Sequence, residues 1–226
     1  MKEYPIIFST DMVKAILEGR KTMTRRLDGL KEINQKPNKW RLPVKQADDE
    51  GRWWFSSDTQ EETIVVKPRY QVGDRLWVRE TLYRHIYLNE AGYLADETPV
   101  FINQTIGDVA KWQWQKDILP SIHMPRWASR ITLEITEVRV ERLQEIPLED
   151  IYKEGCPIEK ATIFVDPADG YELKARATEW FARLWESLNA KRKPTKYDRE
   201  HGIVEPITPS YAWASNPWVW VISFKR

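Results

Sequence analysis

The stretch SRITLEITEVRVERL, residues 129–143, constrains the fold more than any other in the chain. Ile131, Leu133 and Ile135 alternate with Thr132, Glu134 and Thr136, and the run continues through Val138 and Val140. A period of two puts successive side chains on opposite faces, so this is a long strand with one buried and one wetted side. Such strands belong to antiparallel or mixed sheets with a single covered face.

Shorter elements surround it. YPIIF reads as a first strand, and Ser9 or Thr10 then caps a helix carrying Val13, Ile16 and Leu17 on one face, with Gly19 as its terminator. KTMTRR reads as turn into strand, and QVGDRLWVRE as turn then strand. IPLEDIYKEG has the marks of a short helix: Pro147 early, Glu149 and Asp150 in the first turn, Gly155 at the end. From about Ala175 to Leu188 a helix sets Trp180, Phe181, Leu184, Trp185 and Leu188 on one stripe, and PWVWVISFKR closes the chain as a strand. Strands in separated places with helices between them predict an α+β fold: one domain over residues 1–226, around a curved, mostly antiparallel sheet. Three irregular insertions, at about 30–69, 84–125 and 157–215, would hang from its rim, the first carrying a small hairpin at Trp53 and Trp54.

Thirty-five basic against 34 acidic side chains leave a net charge of +1, so any contact with nucleic acid must be a local patch. A single cysteine, Cys156, excludes a disulfide framework and reads as a small buried hydrophobe. His85, His123 and His201 lack metal-ligand spacing with one another or with Cys156, so neither metal nor cofactor is expected. No apolar run reaches the roughly 20 residues of a membrane span, and the expectation is a cytoplasmic protein with no membrane partner.

The stretch GRKTMTRR, residues 19–26, sets Arg20, Lys21, Arg25 and Arg26 around Thr22 and Thr24. One reading is a solvated basic strand. The other is a site in which a lysine, with its proton affinity lowered by burial or by neighbouring cations, activates a threonine hydroxyl. In a regular strand Thr24 and Arg26 share a face and Lys21 points away, so the second reading needs Lys21 to belong to the turn after Gly19. The acid such a site requires is left open by the residues: Glu80, Glu134 and Glu154 all flank strands or helix ends.

The G-x-K-x-x-T-x-R pattern of Gly19, Lys21, Thr24 and Arg26, after a short strand and helix, resembles the signature of the ASCH domain family of the PUA-like superfamily. GDRLWVRE and WVWVISF fit the same template in order, and PSIHMPRWASRITLEITEVRVERLQ with NPWVWVISFK looks like the larger members carried by bacteriophages and prophages. The resemblance implies a small curved β-barrel with flanking helices, and the three insertions are absent from small members. Where many members have glutamate, Thr24 is similar to a bacterial subgroup that hydrolyses N4-acetylcytidine to cytidine and acetate without a metal. It implies Thr24 as nucleophile, Lys21 as its base and Glu154 as orienter or proton shuttle, by way of an acyl-threonine or by direct attack of water. Arg26 or a backbone N–H would stabilise the oxyanion, and Trp77, Arg79 and Glu80 would shape a base-sized pocket for a nucleoside or nucleobase. Two alternatives stay open: a non-catalytic module binding RNA or a modified base in single-stranded nucleic acid, and a ribonuclease. For either, Trp53, Trp54, Trp112 and Trp114 would be stacking platforms, with Arg126, Arg130 and KRKPTKYDR on phosphates.

Overall fold

The computed structural model describes residues 1–42, 47–102, 107–158, 167–189, 200 and 211–226. In chain order its elements are β1 (Glu3–Ile7), α1 (Thr10–Leu17), β2 (Met23–Arg26), α2 (Lys31–Gln35), β3 (Trp40–Arg41), β4 (Trp53–Ser57) and β5 (Thr63–Val66). Then follow β6 (Arg75–Arg79), β7 (Leu82–His85), β8 (Glu90–Tyr93), β9 (Ile118–Leu119), β10 (Thr132–Arg142), α3 (Leu148–Lys153), α4 (Pro167–Asn189) and β11 (Trp218–Lys225). The fold is therefore α+β, with several sheets and few helices. The chain divides into two units, each discontinuous in sequence: residues 1–22, 72–137 and 223–226 form the first, and 23–71 and 138–222 the second.

In the first unit the strands run β1-β6-β10. β1 lies parallel to β6 from Glu3↔Arg75 to Ile7↔Arg79, and β10 is antiparallel to β6 with Leu133 opposite Leu76. α1 begins where the sequence places it: the Ser9 hydroxyl accepts a hydrogen bond from the Met12 N–H. It ends with Gly19 at φ +74°, a conformation a Cβ would strain, while the Lys21 N–H caps the Ala15 carbonyl at 2.9 Å.

The segment 84–125, irregular by sequence, builds much of a second sheet in the order β8-β7-β9. Its core joins Leu82, Tyr93, Val100, Trp112, Leu119 and Met124. Gly92 faces Tyr83 across the β7–β8 pair, and a Cβ there would fall 2.5 Å from the ring, so glycine lets the tyrosine lie over the strand.

In the second unit the order is β10-β11-β2, with a separate sheet β3-β4-β5 whose β4–β5 pair is the hairpin expected at Trp53 and Trp54. Alternation separates these two rings. Trp53 is buried edge-on to Trp220 at 5.9 Å, and Trp54 is exposed, its indole N–H donating to Asp48. α3 and α4 pack Ile151, Tyr152, Ala177, Phe181 and Trp185 with Cys156, Val219 and Val221 into one cluster. The buried stripe of α4 is Leu173, Ala177, Phe181 and Trp185, a strict four-residue step. Leu188 falls off that step and is 57% exposed, unlike the stripe predicted from sequence.

The long strand β10 carries its own departure from the simple pattern. Leu133 and Ile135 are buried, Thr136 and Glu137 are both exposed, and the next buried residues are Val140 and Arg142. The buried side thus changes parity at the point where the chain passes from the first unit to the second. Among the described residues no helix is long and apolar enough to cross a membrane.

Candidate functional site

The basic stretch is buried in part: Lys21, Met23, Thr24 and Arg25 are covered, and Gly19, Arg20 and Thr22 are exposed. Lys21 is 2% exposed and Thr24 4%, so the solvated-strand reading of GRKTMTRR does not hold. Lys21 precedes β2, whose first residue is Met23, and its Nζ lies 5.5 Å from the centre of the Phe8 ring. It forms a β-bridge ahead of that strand, and the turn is confined to Glu18 and Gly19, so Lys21 does not belong to the turn as the sequence reading required. By unit, Lys21 falls in the first, whereas Thr24, Arg26 and Glu154 fall in the second.

Within the second unit Arg25 is the centre of charge. Its Nη1 donates to Glu154 Oε1 at 3.0 Å, its Nη2 to Asp150 Oδ2 at 3.1 Å, and its Nε to Glu141 Oε1 at 3.1 Å. The guanidinium is stacked 5.7 Å from the Phe181 ring centre. Burial works against its charge, but Glu154 and Glu141 outweigh that and raise its pKa above the usual arginine value. Arg139 joins Asp150 from the other side, with Lys153 at 3.4 Å. Burial would raise the Asp150 pKa, yet Arg139 and Arg25 hold it below the ordinary carboxylate range. Arg26 feels burial most, which lowers its pKa against the pull of Tyr70, Glu154 and Asp28. Glu154 closes α3 just before Gly155, whose φ of +98° turns the chain away from the helix.

The residues expected to shape a base pocket sit in the first unit. Trp77 is 9% exposed, opposite Pro5 of β1 and Thr132 of β10. The guanidinium of Arg79 lies 4.8 Å from its ring centre and that of Arg126 5.6 Å, while Arg79 Nη1 donates to the Ile122 carbonyl. Glu80 is 1% exposed, and both its oxygens are taken by Arg130, at 3.0 and 2.8 Å. Arg130 also donates to Asp96 and Thr98 and stacks 3.8 Å from the Tyr93 ring centre. Burial pushes the Tyr93 phenol up to about 12.

The structure thus brings Glu154 together with Arg25 and into the field of Arg26, and Trp77 together with Arg79. It assigns Glu80 to Arg130, an ion pair within the first unit. Arg25 was read only as one of the cations near Lys21, not as a centre of charge. One signal pointed to it: in a strand Arg25 shares a face with Met23, and a buried arginine requires acids around it. For the nucleic-acid alternatives, Trp53 and Trp112 are buried, and KRKPTKYDR lies outside the described residues. Among the described residues no group of three histidine, cysteine, aspartate or glutamate side chains could hold a metal ion. Compared with protein-family models, with curated proteins and with solved structures, the chain gives no match.

Proposed function

We propose that the chain is an ASCH-like amidohydrolase of the PUA-like type, built around a small curved barrel, that removes the acyl group from N4-acylated cytosine. The observation that carries this reading is the burial of Lys21 and Thr24 in a stretch whose composition suits a solvated strand. An amine serves as a base where its surroundings favour the neutral form, and threonine needs such a base to act. In the proposed reaction Thr24 Oγ1 attacks the amide carbonyl carbon and its proton passes to Lys21 Nζ. The bond from the acyl carbon to N4 breaks, and N4 takes a proton to leave as the cytosine amino group. Water then cleaves the acyl-threonine ester and releases a carboxylate; a water activated by the same groups and attacking directly gives the same products. Glu154, held by Arg25, orients the base or passes the proton, and Arg26 supports the oxyanion. Trp77, Arg79 and Glu80 complete the assignment as the wall for the pyrimidine.

The test is chromatography of N4-acetylcytidine incubated with the purified chain. Wild type is expected to yield cytidine, with Lys21→Met and Thr24→Val slower by about 10²–10⁴-fold at unchanged Tm, the range for losing a positioned base or nucleophile. Equal turnover in both variants and wild type would overturn the assignment.

A further inference from the structure

The β8-β7-β9 region holds a cavity of about 590 Å³, open to the surface and far in sequence from the basic stretch. Its lining includes Trp112, Gln113, Trp114, His123 and Trp127. Most of the tryptophans in this chain are covered, and among the described residues three are exposed: Trp54, Trp114 and Trp127. Trp54 is accounted for by its bond to Asp48 and the Arg52 guanidinium 5.7 Å from its ring centre. The other two, 42% and 51% exposed, line this one cavity. Leaving two indoles in water forgoes a large apolar burial, which a ligand would recover.

The chemistry of the lining narrows the ligand. Trp114 stacks on His123 with 29° between the planes and 5.4 Å between centres, so the wall is a flat aromatic step rather than a rounded aliphatic slot. Trp112 is fixed behind it, its indole N–H donating to the Lys116 carbonyl at 3.0 Å. The Lys111 ammonium is paired with Glu90 at 2.9 Å, so the cation at the edge is largely neutralised. Gln113 adds an amide that both donates and accepts. A flat, uncharged ring with donors and acceptors on its edge suits such a wall, and the volume falls within the roughly 300–1,000 Å³ of small-ligand sites. We propose that this cavity is a second site, one that binds a nucleobase by stacking on Trp114 and Trp127. The inference stands on the cavity alone and does not need the hydrolytic reading.

Calorimetric titration of the full chain with cytidine, adenosine and a short single-stranded oligonucleotide tests it. Saturable binding is expected, weakened about tenfold or more by Trp114→Leu and by Trp127→Leu, the range for losing one stacked base. Trp54→Leu is expected to bind as wild type does. Turnover of N4-acetylcytidine separates this site from the hydrolytic one, since Trp114→Leu and Trp127→Leu are expected to leave it unchanged while they weaken binding. An oligonucleotide bound far more tightly than a nucleoside, with the same sensitivity to Trp114→Leu, makes the source a polymer; equal affinities make it the free nucleoside. Absence of saturable binding, or equal loss in Trp54→Leu, overturns the proposal. So does capture of an anionic naphthalene dye alone, which would make the cavity merely apolar.

Discussion

Two arginines, one half-buried and one buried, organise charge in this chain, and they do so differently. Arg130, in the first unit, grips one carboxylate: both Glu80 oxygens, with Asp96 alongside, and its side chain stays 20% exposed. Arg25, in the second, is 1% exposed and divides its donors among Glu141, Asp150 and Glu154, from β10 and the two ends of α3. The first is a clamp that satisfies a single buried acid. The second is a hub, and the geometry of one proposed catalytic carboxylate depends on it. The energetic consequence follows from what each would leave behind. A clamp removed uncovers Glu80, whereas a hub removed takes a donor from three acids at once, the most buried of them Glu154.

Removing the hub gives the largest expected effect. Arg25→Leu should cost about 3–5 kcal/mol in a urea titration, the range for uncovering buried charge, since the Asp150 and Glu154 side chains it holds are both buried. Cytidine release should fall with it even where the variant is folded, because Glu154 loses the group that orients it. Arg130→Leu should cost less, about 1–3 kcal/mol, because solvent already reaches that cluster. A larger loss from Arg130→Leu than from Arg25→Leu would break the distinction between clamp and hub.

Acid provides a second cut. The pKa of Asp150 is depressed although burial would raise it, because Arg139 and Arg25 oppose that. Asp96 is depressed against its own burial by the hydrogen bonds from Arg130 and Thr98. A carboxylate with its pKa lowered by folding contributes in full above its unfolded value, near 3.9, and loses that contribution as pH falls below it. Urea midpoints should therefore stay level from about pH 7 to 5 and drop below about pH 4. Asp150→Asn should flatten the drop more than Asp96→Asn, whose carboxylate is 34% exposed. The reverse order would show that the hub carries no more linkage than the clamp.

What the residue pattern could show of this arrangement follows from how local each feature is. Alternation located β10, but a period-two reading carries no sign of the parity change at Thr136 and Glu137. The sheet β8-β7-β9 escaped because its strands are four residues or shorter and its core is assembled from single aromatics. Lys21 and Thr24 stand in one local stretch and could be proposed together from sequence, whereas the acid could not. Arg25 stands inside that motif, yet its three acids lie 116, 125 and 129 residues away, and only the fold brings them to it.

The smallest expected effect sharpens the comparison most cheaply. Lys153 also reaches Asp150, at 3.4 Å and three residues along α3, so by contact alone it belongs to the hub. Its side chain is 49% exposed, however, and water can take over its charge and that of its partner's outer edge. Lys153→Met should therefore change stability by no more than about 0.5 kcal/mol, the scale of a surface helix pair. Added salt should erase even that difference, while leaving the loss in Arg25→Leu largely in place, because screening acts on wetted pairs and little on dry ones. A salt-resistant loss of several-fold that size in Lys153→Met would mean that the hub extends to the surface of α3, and that membership in it is set by contact rather than by burial.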